Sequence, residues 1–213
     1  MTAIRLLKID ESNRGHHPFL NEKHECYFFY DYTAGKKAAH SDGNRLVLNI
    51  KKPVSEKGLP HYKYKLEAIK DAGAMLNAAF KKAPKTLETA VVVPIPPSKA
   101  KSDVNYDDRM WRVVNLACDE ITTQKLEIIE QLQTVEPSHK QQSGMRMRPD
   151  QLRENYKLSF PVTTETVIFV DDVLTTGAHF VACHDIIKNA NPETRVIGFF
   201  LARRVPPSVF DDF

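Results

Sequence analysis

The sequence predicts an α/β fold: a mostly parallel central sheet flanked by helices, with a small antiparallel element at the N-terminal side. Three observations predict it. Residues 89–95 (T-A-V-V-V-P-I), 166–170 (T-V-I-F-V) and 195–202 (R-V-I-G-F-F-L-A) are apolar runs without polar alternation, the pattern of strands covered on both faces. Between them lie stretches whose apolar residues recur every three or four positions, as one face of a helix requires. Strands alternating with helices through short connections give a parallel sheet. The chain has 213 residues, enough for one such domain with an appendage and a substantial core. Residues 1–60 read as the appendage and residues 61–213 as the α/β core.

The appendage is expected to be built from short strands at residues 4–9, 26–32 (C-Y-F-F-Y-D-Y) and 45–50, the last read from alternating Leu46, Leu48 and Ile50. A helix is expected over residues 61–83, carried by Leu66, Ile69, Gly73, Leu76 and Phe80, with its lysines on a solvated face and Pro84 ending it. Residues 104–124 read as the next helix, with Met110, Val113, Val114, Ala117 and Ile121 as the apolar stripe. Asp107 and Asp108 suit its first turn, and Arg109 is a basic group within reach of a bound anion. A strand is expected at 126–132, then a polar, irregular loop at 134–150. A loop that long inside a compact domain is functional or mobile, and Lys140, Arg146 and Arg148 suit a lid over a polyphosphate. A short helix at 149–155 leads to the buried strand at 166–170. A helix at 180–189 and the strand at 195–202 complete the core, with Arg203 and Arg204 at that strand's end.

Composition excludes several classes. A net charge of +3 with 27% charged residues is too mild to argue for nucleic acid. Cys26, Cys118 and Cys183 are widely spaced without a C-x-x-C pair, which points to free thiols rather than a disulfide framework or zinc site. His16, His17 and His24 are close in sequence to Cys26 but match no zinc spacing, so they are expected at the surface. The opening residues M-T-A-I-R-L-L-K-I-D contain neither a signal peptide nor a span, and a cytoplasmic protein is expected. No G-x-x-x-x-G-K-[ST] exists, which excludes a P-loop.

The chemistry concentrates in residues 166–179 (T-V-I-F-V-D-D-V-L-T-T-G-A-H). A buried strand runs into Asp171 and Asp172, then into Thr175, Thr176 and Gly177 ahead of a helix. In open α/β sheets ligands bind in the crevice outside the carboxyl ends of the strands. A hydroxyl-and-glycine loop at a helix start is an anion site, since backbone amides and the helix N-terminus favour negative charge. Two acids beside such a cradle would repel a bare anion. They suit something that donates protons or carries positive charge: sugar hydroxyls, or Mg²⁺, which is held through one or two carboxylates plus substrate phosphates. A phosphorylated sugar meets both demands. A second basic loop, Pro97, Ser98, Lys99 and Lys101, follows the strand at 89–95 and suits another anion.

The segment V-I-F-V-D-D-V-L-T-T-G-A resembles the phosphoribosyl-pyrophosphate (PRPP) motif of the type I phosphoribosyltransferases. That resemblance implies the corresponding fold. It places the 5′-phosphate on Val173, Leu174, Thr175, Thr176, Gly177, Ala178 and His179, with the ribose diol and Mg²⁺ at Asp171 and Asp172. It places the pyrophosphate on Pro97, Ser98, Lys99 and Lys101. It makes residues 1–60 the variable hood that binds the acceptor, and it implies a transferase of pentosyl groups, commonly a homodimer. P-I-P-P-S-K, Q-S-G-M and the spacing from Asn155 to Phe160 resemble the ComF-type branch over residues 88–204. Departures are His179 where the family has a hydroxyl residue, Leu152 where the branch has an arginine, and no N-terminal cysteine module or R-G-x-N-Q signature. They motivate an alternative: a catalytically silent PRPP or nucleotide sensor acting on a protein or nucleic-acid partner in a bacterial conflict or competence system.

Overall fold

The computed structural model describes residues 5–119, 133–134, 147–158 and 161–207. In chain order the strands are β1 (Leu7–Lys8), β2 (Glu25–Thr33), β3 (Ala90–Pro94), β4 (Gln133–Thr134), β5 (Tyr156–Lys157), β6 (Thr166–Leu174) and β7 (Arg195–Val205). The helices are α1 (Asp42–Ile50), α2 (Lys63–Phe80), α3 (Pro84–Leu87), α4 (Arg109–Cys118), α5 (Pro149–Asn155) and α6 (Ala178–Ala190). The main sheet has the order β1-β2-β7-β6-β3, with β1 antiparallel to β2 and every other neighbour parallel. The expected α/β architecture is therefore present. Its antiparallel part is one short pair, because β2 joins the central sheet alongside β7. Strands β4 and β5 form a separate antiparallel pair.

Helices cover both faces of the sheet. On one face Leu152 of α5 and Phe180, Cys183 and Ile187 of α6 pack on Phe28, Val93, Phe169 and Phe200. On the other face Ile50 of α1, Leu76 of α2 and Val113 of α4 pack on Val92, Ile168, Ile197 and Leu201. Each such side chain withdrawn from water contributes about 1.5–3 kcal/mol, which is what holds the helices on the sheet. Among the described residues no helix is long and apolar enough to cross a membrane. Cys26, Cys118 and Cys183 are free thiols.

Several expectations are corrected. Residues 45–50 lie in helix α1, not in a strand. Ser41 caps it by accepting the Asn44 amide, and Leu46, Val47 and Ile50 form its buried stripe. Helix α2 ends at Phe80, and Pro84 opens the short helix α3 instead of closing α2. Helix α4 starts at Arg109, and Val104 is exposed in the loop before it. The histidines are not all at the surface: His17 and His24 are buried, and His24 packs edge-on against His184. Burial drives the His24 pKa down to about 4, with His184 adding to the effect. Nor is every lysine of α2 solvated, since Lys65 is buried against Asp107. The strand expected at 126–132 lies outside the described residues.

Candidate functional site

The crevice follows from the topology. Strands β3 and β6 are parallel neighbours, and the loops leaving their carboxyl ends go to opposite faces: β3 leads to α4 on one face, β6 to α6 on the other. Two loops that diverge this way leave a gap between them, which is the ligand position in open α/β sheets. A cleft is present there. Pro97, Lys99 and Lys101 line it from the loop after β3, Arg109 and Trp111 from α4, and Asp171 from β6. Lys99 is held against Asp103 at 3.1 Å, while Ser98 is exposed beside it. The expected pyrophosphate loop and the first expected acid thus share one cleft.

The two acids differ sharply. Strand β6 does not stop at Val170 but continues through Leu174, paired with β7 as far as Arg203, so both aspartates are strand residues. Asp172 is only 3% exposed. Arg109 donates to its Oδ2 through Nε at 2.8 Å and Nη2 at 2.6 Å, and Lys51 sits 3.0 Å from its Oδ1. Arg109 also donates through Nη1 to Asp107 at 2.7 Å, and Asp107 accepts from Lys65 at 2.6 Å. Burial pushes against the charge on Asp172, but Arg109 and Lys51 outweigh it and hold its pKa below the ordinary carboxylate value. Asp171, in contrast, lies in no ion pair among the described residues. One of its oxygens accepts the Asp172 amide at 2.7 Å. Burial and the adjacent Asp172 charge push its pKa up to about 7.

The loop expected to hold a phosphate is covered. Val173 and Leu174 belong to β6, with their side chains packed on Val47 and Ala202 and in the α6-side core, respectively. Thr175 and Thr176 are half-buried and lead to Gly177, whose φ of +86° only glycine adopts without strain. Gly177 is the N-cap of α6 and supplies no side-chain acceptor for its first turn. Residues 17–20 lie over this loop. His17 bonds through Nδ1 to the Thr175 carbonyl, Phe19 donates its amide to the Thr176 carbonyl at 3.1 Å, and Leu20 packs on Gly177. A carbonyl only accepts, so His17 carries its proton on Nδ1, and its buried Nε2 has no partner among the described residues. None of residues 175–179 lines the cleft.

His179, in the first turn of α6, is neutral. Burial lowers its pKa, and the hydroxyl of Tyr156, whose own pKa burial raises well above the ordinary value, is hydrogen-bonded to Nδ1 at 2.6 Å. Of the expected lid residues, Lys140 and Arg146 lie outside the described residues. Arg148 precedes α5, exposed, with its guanidinium 6.0 Å from the Phe19 ring. Leu152 is a core residue, and Arg153 pairs with Asp185. Arg203 pairs with Asp31 within the sheet.

No model of a known protein family matches this chain, and no curated protein matches it. The site therefore rests on its residues. Of the expected site residues, the cleft brings together Asp171 and the loop at 97–101, and it does not include Asp172 or residues 175–179. Sequence reasoning missed Lys51, Lys65 and His17, because each meets its partner across a long stretch of chain. Histidine clustering near Pro18 and a lysine at the end of α1 carry no local signal of those contacts.

Proposed function

We propose that this chain is a Mg²⁺-dependent phosphoribosyltransferase of the type I kind, taking PRPP as donor and releasing pyrophosphate. The observation that carries the reading is the crevice between the ends of β3 and β6, walled by Asp171 and by the Lys99–Lys101 loop. The start of α6 after Thr175, Thr176 and Gly177, where Gly177 offers no side-chain cap, supports it as the 5′-phosphate cradle. In this reading the diol meets Asp171. The bond from the anomeric carbon to pyrophosphate breaks, and a nucleophile on the acceptor forms the new bond to that carbon. Asp171 stabilises the positive charge on the ring, and Lys99 and Lys101 stabilise the departing anion, an arrangement in which preorganised charge supplies most of the rate.

Mg²⁺ fits the donor set in part. Among the described residues no cluster of three metal-ligating side chains exists, but Mg²⁺ needs only one or two carboxylates when a polyphosphate supplies the rest. Asp171 lies in no ion pair among the described residues and would gain from a cation, whereas Asp172 is already neutralised by Arg109 and Lys51. When bound, Mg²⁺ supplies charge neutralisation to the leaving pyrophosphate. The test is incubation with Mg²⁺, PRPP and a panel of purine, pyrimidine and aromatic-acid acceptors, following pyrophosphate release. Release with at least one acceptor is expected, and its loss in Asp171→Asn. If PRPP gives no heat by calorimetry, the reading is wrong.

A second reading, a PRPP or nucleotide sensor without turnover, is favoured by one observation. Residues 17–20 are bonded to the carbonyls of the anion loop, so ligand at the loop would be felt in the N-terminal segment. PRPP binding with no pyrophosphate release from any acceptor would select it.

A further inference from the structure

We infer that the chain has a second ligand site, a cavity at the amino ends of the strands that takes a flat aromatic molecule carrying one carboxylate. The cavity holds about 250 Å³ and lies between the sheet and the end of α2. Glu25 and Arg195, the first residues of β2 and β7, line it. The crevice, in contrast, lies at the carboxyl ends of β3 and β6. The two places are at opposite ends of the sheet, so the inference does not depend on the transferase reading.

Packing explains why space is left. The sheet offers Tyr27, Phe29, Ile168 and Phe199, while the last turn of α2 and the residues after it offer Ala79 and Ala83. Small side chains facing large ones leave a gap, whereas protein interiors are otherwise filled to the density of organic crystals. Phe29, Phe80 and Ile168 are buried, so the deep part of the gap has apolar walls. Water there would lack the polar partners that hold an internal water in place. An engineered apolar cavity of about 150 Å³ stays dry and binds benzene, and this one has room for a second ring. Its wall is already aromatic. Tyr27 and Phe199 stack with centroids 5.4 Å apart, and Phe80 meets Phe199 edge-on at 5.6 Å. A further ring joins such a cluster by the same offset or edge-to-face contacts.

The mouth selects the charge. Glu25 accepts from Arg195 at 2.9 Å (Nε) and 2.7 Å (Nη2) and from the Tyr27 hydroxyl at 2.8 Å, so its carboxylate is already engaged. Burial and Glu25 raise the Tyr27 pKa to about 12, so Tyr27 adds no charge of its own. Arg195 keeps Nη1 outside its fork with Glu25. Lys82 is exposed and lies in no ion pair among the described residues. Lys8 adds an ammonium 6.0 Å from the Tyr27 ring. The lining thus sets Arg195 and Lys82 against Glu25, with Lys8 close by, and the excess positive charge matches one carboxylate. An apolar body inside and a single polar group at the rim is how small-molecule sites are commonly built.

The test is calorimetric titration of the full chain with 2-naphthoate, beside 2-naphthylmethanol, which has the same rings without the charge. Saturable binding of one 2-naphthoate per chain is expected, with 2-naphthylmethanol weaker by about two- to fivefold, the worth of a partly exposed ion pair. Lys82→Met changes an exposed side chain, which the fold tolerates. It is expected to weaken 2-naphthoate by at least about twofold and to leave 2-naphthylmethanol unchanged. Ala79→Leu fills the cavity and is expected to abolish binding of both. PRPP in excess is expected to leave the 2-naphthoate affinity unchanged. No saturable heat with the wild type overturns the inference, as does equal affinity for the two probes, or binding that survives Ala79→Leu in a folded protein. If Ala79→Leu does not fold, Lys82→Met decides, and an unchanged 2-naphthoate affinity overturns the inference. Competition from PRPP overturns it too, and so does a dimer in sedimentation velocity that binds no 2-naphthoate, which puts a second copy of the chain over the cavity.

Discussion

Arg109→Met tests the buried network at its centre. The substitution keeps the apolar stem and removes three charge-assisted hydrogen bonds, two to Asp172 at 2.6 and 2.8 Å and one to Asp107 at 2.7 Å. Deleting one partner of a buried ion pair destabilises by about 3–5 kcal/mol when the other charge is stranded. Here neither acid is stranded, because Asp172 keeps Lys51 and Asp107 keeps Lys65. The expected loss is therefore about 2–3 kcal/mol. For a chain of this size that is a fall in Tm of roughly 4–12 °C. The control is Arg45→Met, which removes an exposed pair with Asp42 and is expected to change stability by less than about 1 kcal/mol. Urea unfolding followed by circular dichroism reads both, as a shift in midpoint at unchanged slope. Combining Arg109→Met with Asp172→Asn should give a coupling of about 1–3 kcal/mol, since the two side chains touch. If Arg109→Met unfolds like Arg45→Met, with no coupling to Asp172, the network does not hold the site together.

Three further outcomes are expected. Asp171 has its folded pKa raised to about 7, so its proton is bound more tightly in the folded than in the unfolded chain. Its contribution is fully present below its unfolded pKa and is lost as pH rises through about 7; Asp171→Asn should therefore be more stable than wild type at pH 8, by up to about 4 kcal/mol, and gain nothing at pH 4. Urea midpoints at the two pH values check this, and a gain of equal size at both would refute the assignment. Gly177→Ala places a methyl 2.9 Å from Leu20 at a φ of +86°, and is expected to lose about 2 kcal/mol and to loosen residues 17–20 in hydrogen exchange. Gly43→Ala puts its methyl 2.0 Å from the Asp31 carbonyl, pushing α1 off β2, with a loss of about 1–3 kcal/mol measured by thermal unfolding.

What the sequence disclosed was local. Strand β6 and helix α6 were legible because burial on both faces leaves an unbroken apolar run, and because hydroxyls and glycine punctuate the turn between them. The extent of β6 was not legible. Asp171 and Asp172 read as a strand end, yet β7 pairs with β6 as far as Arg203, and the cations Arg109 and Lys51 let Asp172 sit inside the sheet. Residues 45–50 misled because Leu46 and Ile50 fit both an alternating and a helical pattern; Val47 and the Ser41 cap decide for the helix. Lys51 and His17 could not have been assigned from neighbours in sequence, since Asp172 and Thr175 belong to a distant part of the chain. The same holds for Lys65, whose partner Asp107 stands 42 positions away.

The parallel pairing of β2 with β7 has a consequence for how the molecule is made. Glu25 and Arg195, bonded across these strands, are separated by 170 positions. While the ribosome works towards Arg195, β2 has only the short β1 paired to its edge, and Cys26 and Phe28 wait for the α6 side chains that cover them. Contacts this distant close slowly. The nascent chain thus carries an adhesive ribbon through most of its synthesis, and a holding chaperone that shields this ribbon should raise the yield of folded protein.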